Sequence, residues 1–208
     1  TNAASTEISG VEIDAAFQVS EKLRLNLAVG TVDGEYKDFK GAACTPLQTA
    51  DIGFNNAVTP GGLTPSSPNL TSADGLCTQL FDASGRQGAI AQDLSGRTIG
   101  AAEWSGSFGA QFMQPVGSMM WFTELDVQFT DDYLFTGDLD PARVQPGFEL
   151  VNLRTGLRGE NWMLMLYGRN ITDESYAQGG AVVPLAQGSF FNYLSRGEVW
   201  GVQAAWEF

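Results

Sequence analysis

The stretch Glu198-Val-Trp-Gly-Val-Gln-Ala-Ala-Trp-Glu-Phe208 constrains this chain more than any other. Read with a period of two, it puts Trp200, Val202, Ala204, Trp206 and Phe208 on one face and Val199, Gly201, Gln203, Ala205 and Glu207 on the other. An apolar strand that stays greasy to its last residue is unusual for a water-soluble domain, whose ends fray and whose exposed strand edges invite aggregation. It suits a barrel strand with one face in lipid and the other on a polar lumen.

The same alternation recurs upstream. Val11, Ile13, Ala15, Phe17 and Val19 oppose Glu12, Asp14, Ala16, Gln18 and Ser20, and Leu23, Leu25, Leu27 and Val29 oppose Arg24, Asn26, Ala28 and Gly30 in a strand that runs on to Tyr36 and Phe39. The few residues between these two runs predict an antiparallel hairpin. A third run carries Trp104, Gly106, Phe108, Ala110 and Phe112 against Ser105, Ser107, Gly109 and Gln111, and leads through a turn at Pro115-Val-Gly-Ser118 to a fourth. There Trp121, Thr123, Leu125, Val127 and Phe129 oppose Phe122, Glu124, Asp126, Gln128 and Thr130. Val151 to Leu157 and the stretch after Asn161 supply two more, the latter less distinct because Met163 and Met165 make both faces apolar. With the terminal strand this makes about seven, joined by alternating short and long connections. The expected fold is all-β, an antiparallel transmembrane β-barrel segment with every short turn on one rim and every long loop on the other.

The longest connection, about residues 40–100, is rich in Gly, Pro, Ser, Thr and Asn, including Thr59-Pro-Gly-Gly and Thr64-Pro-Ser-Ser-Pro68, and reads as one extracellular loop without a period. It holds Cys44 and Cys77, the only cysteines. Two thiols are too few for a structural zinc site, so they are either a disulfide of an oxidising compartment or an unpaired couple. Asn69-Leu-Thr and Asn170-Ile-Thr match the glycosylation sequon, and both read as chance matches. Aromatics are expected in two girdles. Tyr36, Phe39, Trp104, Tyr133, Phe135, Phe148, Tyr176, Phe190 and Tyr193 fall near the outer rim, with Phe17, Phe112, Trp121, Trp162, Trp206 and Phe208 near the inner one.

Composition removes several classes of function. The chain has no histidine, which excludes a Ser-His or Cys-His nucleophile, a His-ligated zinc and a histidine general base. A net charge of −13 and the lack of a basic stripe argue against a nucleic-acid partner. No run of about 18 apolar residues exists to form a helical span. The start, Thr1-Asn-Ala-Ala-Ser-Thr-Glu, has no signal-peptide pattern, so an exported chain of this kind is expected to be processed or truncated. The reading is of a non-enzyme with no cofactor and no metal centre.

Six segments carry a family resemblance. Tyr193-Leu-Ser-Arg-Gly-Glu-Val-Trp-Gly-Val with its aromatic ending, Leu153-Arg-Thr-Gly-Leu, and Asn161-Trp-Met-Leu-Met-Leu-Tyr-Gly-Arg-Asn-Ile-Thr-Asp-Glu-Ser-Tyr176 resemble the last strands of TonB-dependent outer-membrane receptors. Ile8-Ser-Gly-Val-Glu-Ile-Asp, Val32-Asp-Gly-Glu-Tyr-Lys-Asp-Phe39 and Ala101-Ala-Glu-Trp-Ser-Gly-Ser-Phe-Gly-Ala110 resemble earlier strands of the same barrels. The resemblance implies that residues 1–208 are the C-terminal barrel portion, roughly the last third, of a protein of about 22 strands, without its plug domain. It further implies a Gram-negative outer-membrane location and active uptake of a scarce ligand, such as a ferric siderophore, cobalamin or an oligosaccharide. Expected partners are outer-membrane lipid, the barrel-assembly machinery (reading Trp206 and Phe208), the TonB energy-coupling complex through parts outside this stretch, and a small-molecule or iron-chelate ligand.

Ligand contacts are then expected from Trp104, Asp138, Asp140, Arg154, Arg169 and Arg196. Lumen arginines more often pair with neighbouring carboxylates such as Glu124 or Asp126, and acidic loop residues are usually solvated. Two rival readings share part of the pattern: a passive porin-type channel, and a soluble carbohydrate-binding β-sandwich or carboxylate-using glycosidase.

Overall fold

The computed structural model describes residues 5–58, 70–72, 74–81, 87–183, 185–186 and 188–208. The Asn69 sequon and both Pro-rich runs noted above fall on or across the remaining residues and so lie outside the described ones. Seven long strands form one antiparallel sheet in chain order. They are β1 (Ser5–Ser20), β2 (Leu23–Asp38), β3 (Trp104–Val116), β4 (Met119–Thr130), β5 (Phe148–Arg158), β6 (Trp162–Arg169) and β7 (Val199–Trp206). Short turns at 21–22, 117–118 and 159–161 alternate with long connections at 39–103, 131–147 and 170–198. The third strand differs from expectation in continuing through Pro115, which pairs with Met120, so that only Gly117 and Ser118 turn, Gly117 with a positive φ of 62°. The first and fifth strands also start earlier than their alternation suggests.

Register shows what the alternation achieves. Directly opposed residues share a face, so pairing propagates side-chain identity across the sheet. Ala15, Leu27, Phe108, Val127 and Val151 form one row on the apolar face. Phe17, Leu25, Ala110, Leu125, Leu153, Gly168 and Trp200 form the next, through all seven strands. The hydroxyls that interrupt this face satisfy one another: Thr123 and Thr155 are 2.9 Å apart, the Trp121 indole N–H donates to Thr155 Oγ1 at 3.0 Å, and Thr155 donates on to the Phe122 carbonyl. Polar groups closed off in this way suit a surface that has no water to bond with. The opposite face carries Gln18, Arg24, Gln111, Glu124, Arg154 and Tyr167 in a comparable row.

The sheet is a single layer. Its apolar residues stay uncovered, with Phe17 58% exposed, Val202 69% and Trp206 59%, and among the described residues no second sheet packs on them. A soluble sandwich would have buried them between two sheets about 10 Å apart, so that rival loses its basis. Buried hydrophobics lie almost wholly outside the sheet: Phe39, Ala42, Leu94 and Leu139 form a cluster joined by Tyr36 and Leu134.

That cluster is the core of a cap at the long-loop end, and here the periodless reading of 40–100 is corrected. The segment folds a helix, α1 (Pro46–Val58), and a small sheet of Leu70–Thr71, Cys77–Phe81 and Gln87–Gln92. Helix α1 opens with a capping box. Gln48 N–H donates to Thr45 Oγ1 at 3.2 Å and Thr45 N–H donates to Gln48 Oε1 at 2.8 Å, with Pro46 at the first helical position. Several of the outer aromatics pack internally instead of standing in a girdle, while Trp104 and Tyr193 stay exposed. Tyr36 meets Phe39 at 4.9 Å in the cluster, and the Arg143 guanidinium sits 4.9 Å over Phe190.

Cys44 and Cys77 are bonded, tying the segment before α1 to the small sheet. Replacing both with Ser is expected to destabilise the cap by about 3 to 4 kcal/mol on the loop-entropy account. Limited proteolysis should show cleavage within 44–77 rising steeply while the seven-stranded sheet stays resistant.

Candidate functional site

Two concavities stand out, one on the sheet and one in the cap. The first exists because the polar face is built from small residues where two rows cross the middle strands. Glu12, Gly30, Ser105, Thr130 and Phe148 form one row, and Asp14, Ala28, Ser107, Gln128 and Leu150 the other. Gly30, Ala28, Ser105 and Ser107 floor a groove of about 680 Å³ with carboxylates on one side. On the other side Phe148 stacks on Tyr176, ring centroids 4.2 Å apart and planes within 10°. Among the described residues of its lining, Glu12 and Asp14 are the charged ones. Such a surface can hold a small molecule by ring contact and by hydrogen bonds donated to the two carboxylates.

The second concavity, about 650 Å³, lies in the cap between α1, the small sheet and the loop 138–142. Gln92, buried, holds its walls together: its amide donates to the carbonyls of Ala43 at 2.7 Å and Asp138 at 2.8 Å. Asp138 and Asp140 both line this cavity. Contrary to the expectation of a solvated loop acid, Asp140 is 2% exposed, and its Oδ1 accepts from Ala142 N–H to cap the 3-10 helix Pro141–Arg143.

On the cavity wall, burial raises the pKa of Asp74, but hydrogen bonds from Ser72, Gln48 and the Leu76 N–H outweigh it and hold the carboxyl below its ordinary value of 3.8. A group whose pKa is lowered by folding contributes stability in full above its unfolded value and loses it as pH falls through the folded one. Thermal unfolding of the cap should therefore be unchanged from about pH 7 to about pH 5 and fall below about pH 4. Asp74→Asn should flatten part of that last step.

The other expected site residues do not converge. Arg154 lies on the polar face beside Glu124, Nη1 to Oε2 3.5 Å, in the cross-strand pairing anticipated for a lumen arginine. The Arg169 guanidinium sits 5.6 Å over the Tyr167 ring, and Arg196 offers its backbone carbonyl to Asn170 at 3.3 Å. Trp104 falls on the apolar face opposite Thr31, away from the groove. Glu12, Asp14, Phe148 and Tyr176 were not picked out as site residues, although the facing small residues at 28, 30, 105 and 107 mark the groove once pairing is known.

The motif Asn170-Ile-Thr-Asp173 is a clamp. Asn170, with φ +50° and 8% exposed, donates its side-chain amide to the carbonyls of Glu174 and Arg196 and accepts from Glu174 N–H at 2.9 Å. Its own N–H donates to Asn152 Oδ1, and Asp173 Oδ1 accepts from Glu198 N–H at 3.0 Å. A buried amide committed in this way is no glycan acceptor.

A single-layer antiparallel wall with a greasy face, a polar face and all long loops at one end is a transmembrane β-barrel segment in fold. Solved structures with this fold bear that out. The chain is similar to part of the ferric yersiniabactin uptake receptor FyuA from Yersinia pestis, with a TM-score of 0.63 and 12% identity, over 98% of this chain and 24% of that one. It is similar also to part of the siderophore receptor PiuA from Acinetobacter baumannii, with a TM-score of 0.58 and 12% identity, over 96% of this chain and 21% of that one. The chain thus spans a quarter or less of the length of these receptors. No protein-family model matches it, and no curated protein matches it in sequence.

Proposed function

We propose that these residues form part of the wall and outer cap of a TonB-dependent outer-membrane receptor that takes up a small ligand, of which iron chelates are the leading class. The observation that carries the reading is the apolar face that runs across all seven strands, backed by a polar face that holds a ligand-sized groove at the loop end. The likeness in fold to two proteins described as siderophore receptors supports it. In this reading the seven strands belong to a closed barrel of about 22, with the plug and the energy-coupling segment supplied elsewhere in the polypeptide. Lipid covers the apolar face, the cap faces outward, and Trp206 and Phe208 end the strand that the barrel-assembly machinery reads. The work done on the ligand is binding and gated passage, without covalent chemistry.

The groove offers the direct test. Ser107→Trp in the intact receptor places an indole on the groove floor from a side chain that no other element needs. Ferric siderophore binding by the purified receptor is expected to weaken at least tenfold with heat-modifiable gel migration unchanged. Equal binding by wild type and variant would remove the groove from the ligand path. Diffusive, energy-independent flux through the assembled barrel would favour the porin reading.

A further inference from the structure

The groove on the sheet carries one sign of charge. Among the described residues of its lining no lysine or arginine stands beside Glu12 and Asp14, and both carboxylates lie exposed on the polar face. Glu12 leans over the groove floor, since a Cβ added at Gly30 would stand 3.6 Å from its Cγ. Other acids of this face are already engaged. Glu124 pairs with Arg154, and Asp126 accepts from Gln128 and Asn152 at 3.2 and 3.3 Å. Neither Glu12 nor Asp14 has such a partner among the described residues, so their charge is left facing the groove. On the far wall, Phe148 and Tyr176 offer stacked rings and no charge. The strands β1 and β5 are four strand spacings apart, roughly 19 Å along the sheet. A molecule that touches both walls presents an uncharged body to the rings at one end and meets two carboxylates at the other.

We propose that Glu12 and Asp14 make the groove selective for charge. It takes an iron chelate whose compact body lies against Phe148 and Tyr176 while a pendant cationic group, an ammonium or guanidinium, reaches the carboxylates of β1, and it disfavours an anionic chelate. The inference rests on the receptor reading and deepens it by naming the charge of the ligand. Carboxylates in a concave wall act on a charged ligand both in the encounter and in the bound state. Their reach is about 8 Å at physiological ionic strength, so the selection depends on salt.

The test compares ferrioxamine B, a trihydroxamate iron chelate with a pendant ammonium, with its N-acetyl and N-succinyl derivatives, which keep the chelate and make the arm neutral or anionic. Quenching of tryptophan fluorescence in the purified intact receptor at neutral pH reads binding. The cation is expected to bind at least tenfold more tightly than the anion, with the neutral derivative between them, and added salt should narrow the gap. Glu12→Gln with Asp14→Asn should shrink it below about threefold, Glu12→Asp with Asp14→Glu should retain it, and Glu12→Lys with Asp14→Lys should invert the order. Heat-modifiable migration shows which variants assemble, and the wild-type series decides by itself where one does not. Equal or tighter binding of the anion by wild type, or a preference unchanged in the neutralised and lysine pairs, would overturn the proposal. If Ser107→Trp still weakens all three chelates in that case, the receptor reading stands without it. A folded wild type that binds none of the three overturns the proposal, and diffusive flux through the same barrel would take the receptor reading with it.

Discussion

Leu27→Arg is expected to cost about 2 to 4 kcal/mol of barrel stability, while Asn26→Arg, one residue away, costs little. Leu27 sits in the middle of the apolar face, paired with Ala15 on one side and Phe108 on the other. In lipid the guanidinium has no partner within its row and must reach for the interface or draw in water, and the penalty is largest near mid-depth. Asn26 faces the other way, opposite Ala16 and Gly109, where water is available. The contrast between neighbours matters more than either number, because both variants share strand, depth and added charge. Urea unfolding of the intact receptor in lipid vesicles measures it. Equal penalties would mean that neither face meets lipid.

Asn170→Ala is the second large effect, about 3 to 4 kcal/mol. Removing the amide leaves the Glu174 N–H and the Glu174 and Arg196 carbonyls without partners in a buried turn, at about 1 to 3 kcal/mol for such groups. The positive φ at position 170 adds about 1 kcal/mol for alanine over asparagine. Asn170→Gly keeps the backbone at ease and still loses the hydrogen bonds, so it should fall between wild type and alanine. The turn joins β5, β6 and the approach to β7, so the loss should appear as slow or incomplete assembly of the last strand. Folding yield followed by heat-modifiable migration checks the order of the three proteins.

Glycine and aromatic residues pin that last strand from both faces. Trp200 lies across Gly168 on the apolar face and Tyr167 across Gly201 on the polar face, at adjacent register positions. A Cβ on Gly201 would come within 2.5 Å of the Tyr167 ring, so any other residue there would have to push the ring aside. Cross-strand covering of glycine by an aromatic ring fixes register where alternation alone would allow a slip.

The seven strands were legible because a single-layer wall with one apolar and one polar face imposes a period of two over many residues. Leu23 to Val29 and Trp121 to Phe129 state their faces outright. The cap was not legible by the same rule, since its residues answer to a buried cluster and to polar bonds such as those of Gln92. One signal was available. Thr45-Pro-Leu-Gln48 is a capping box with proline in the first turn, and it marks the start of α1 inside a segment that otherwise reads as turns. Some of the outer aromatics misled for a related reason. Position near a rim does not tell a ring that anchors in lipid from one that packs on a neighbour, and Phe148 and Tyr176 do the latter. The groove was hidden because its floor is defined by what is missing from four side chains on two strands, and only the register brings them side by side.

The most direct test of the account is the environment of consecutive residues along β3 in the intact receptor reconstituted into lipid. Spin labels placed singly from Ser107 to Gln111 and read by power saturation should alternate. Phe108 and Ala110 should be reached by oxygen from the lipid, and Ser107, Gly109 and Gln111 by a water-soluble relaxer. Five labels that all report water, or an alternation of opposite phase, would contradict the claim that the face of Leu27, Phe108 and Val127 meets the membrane.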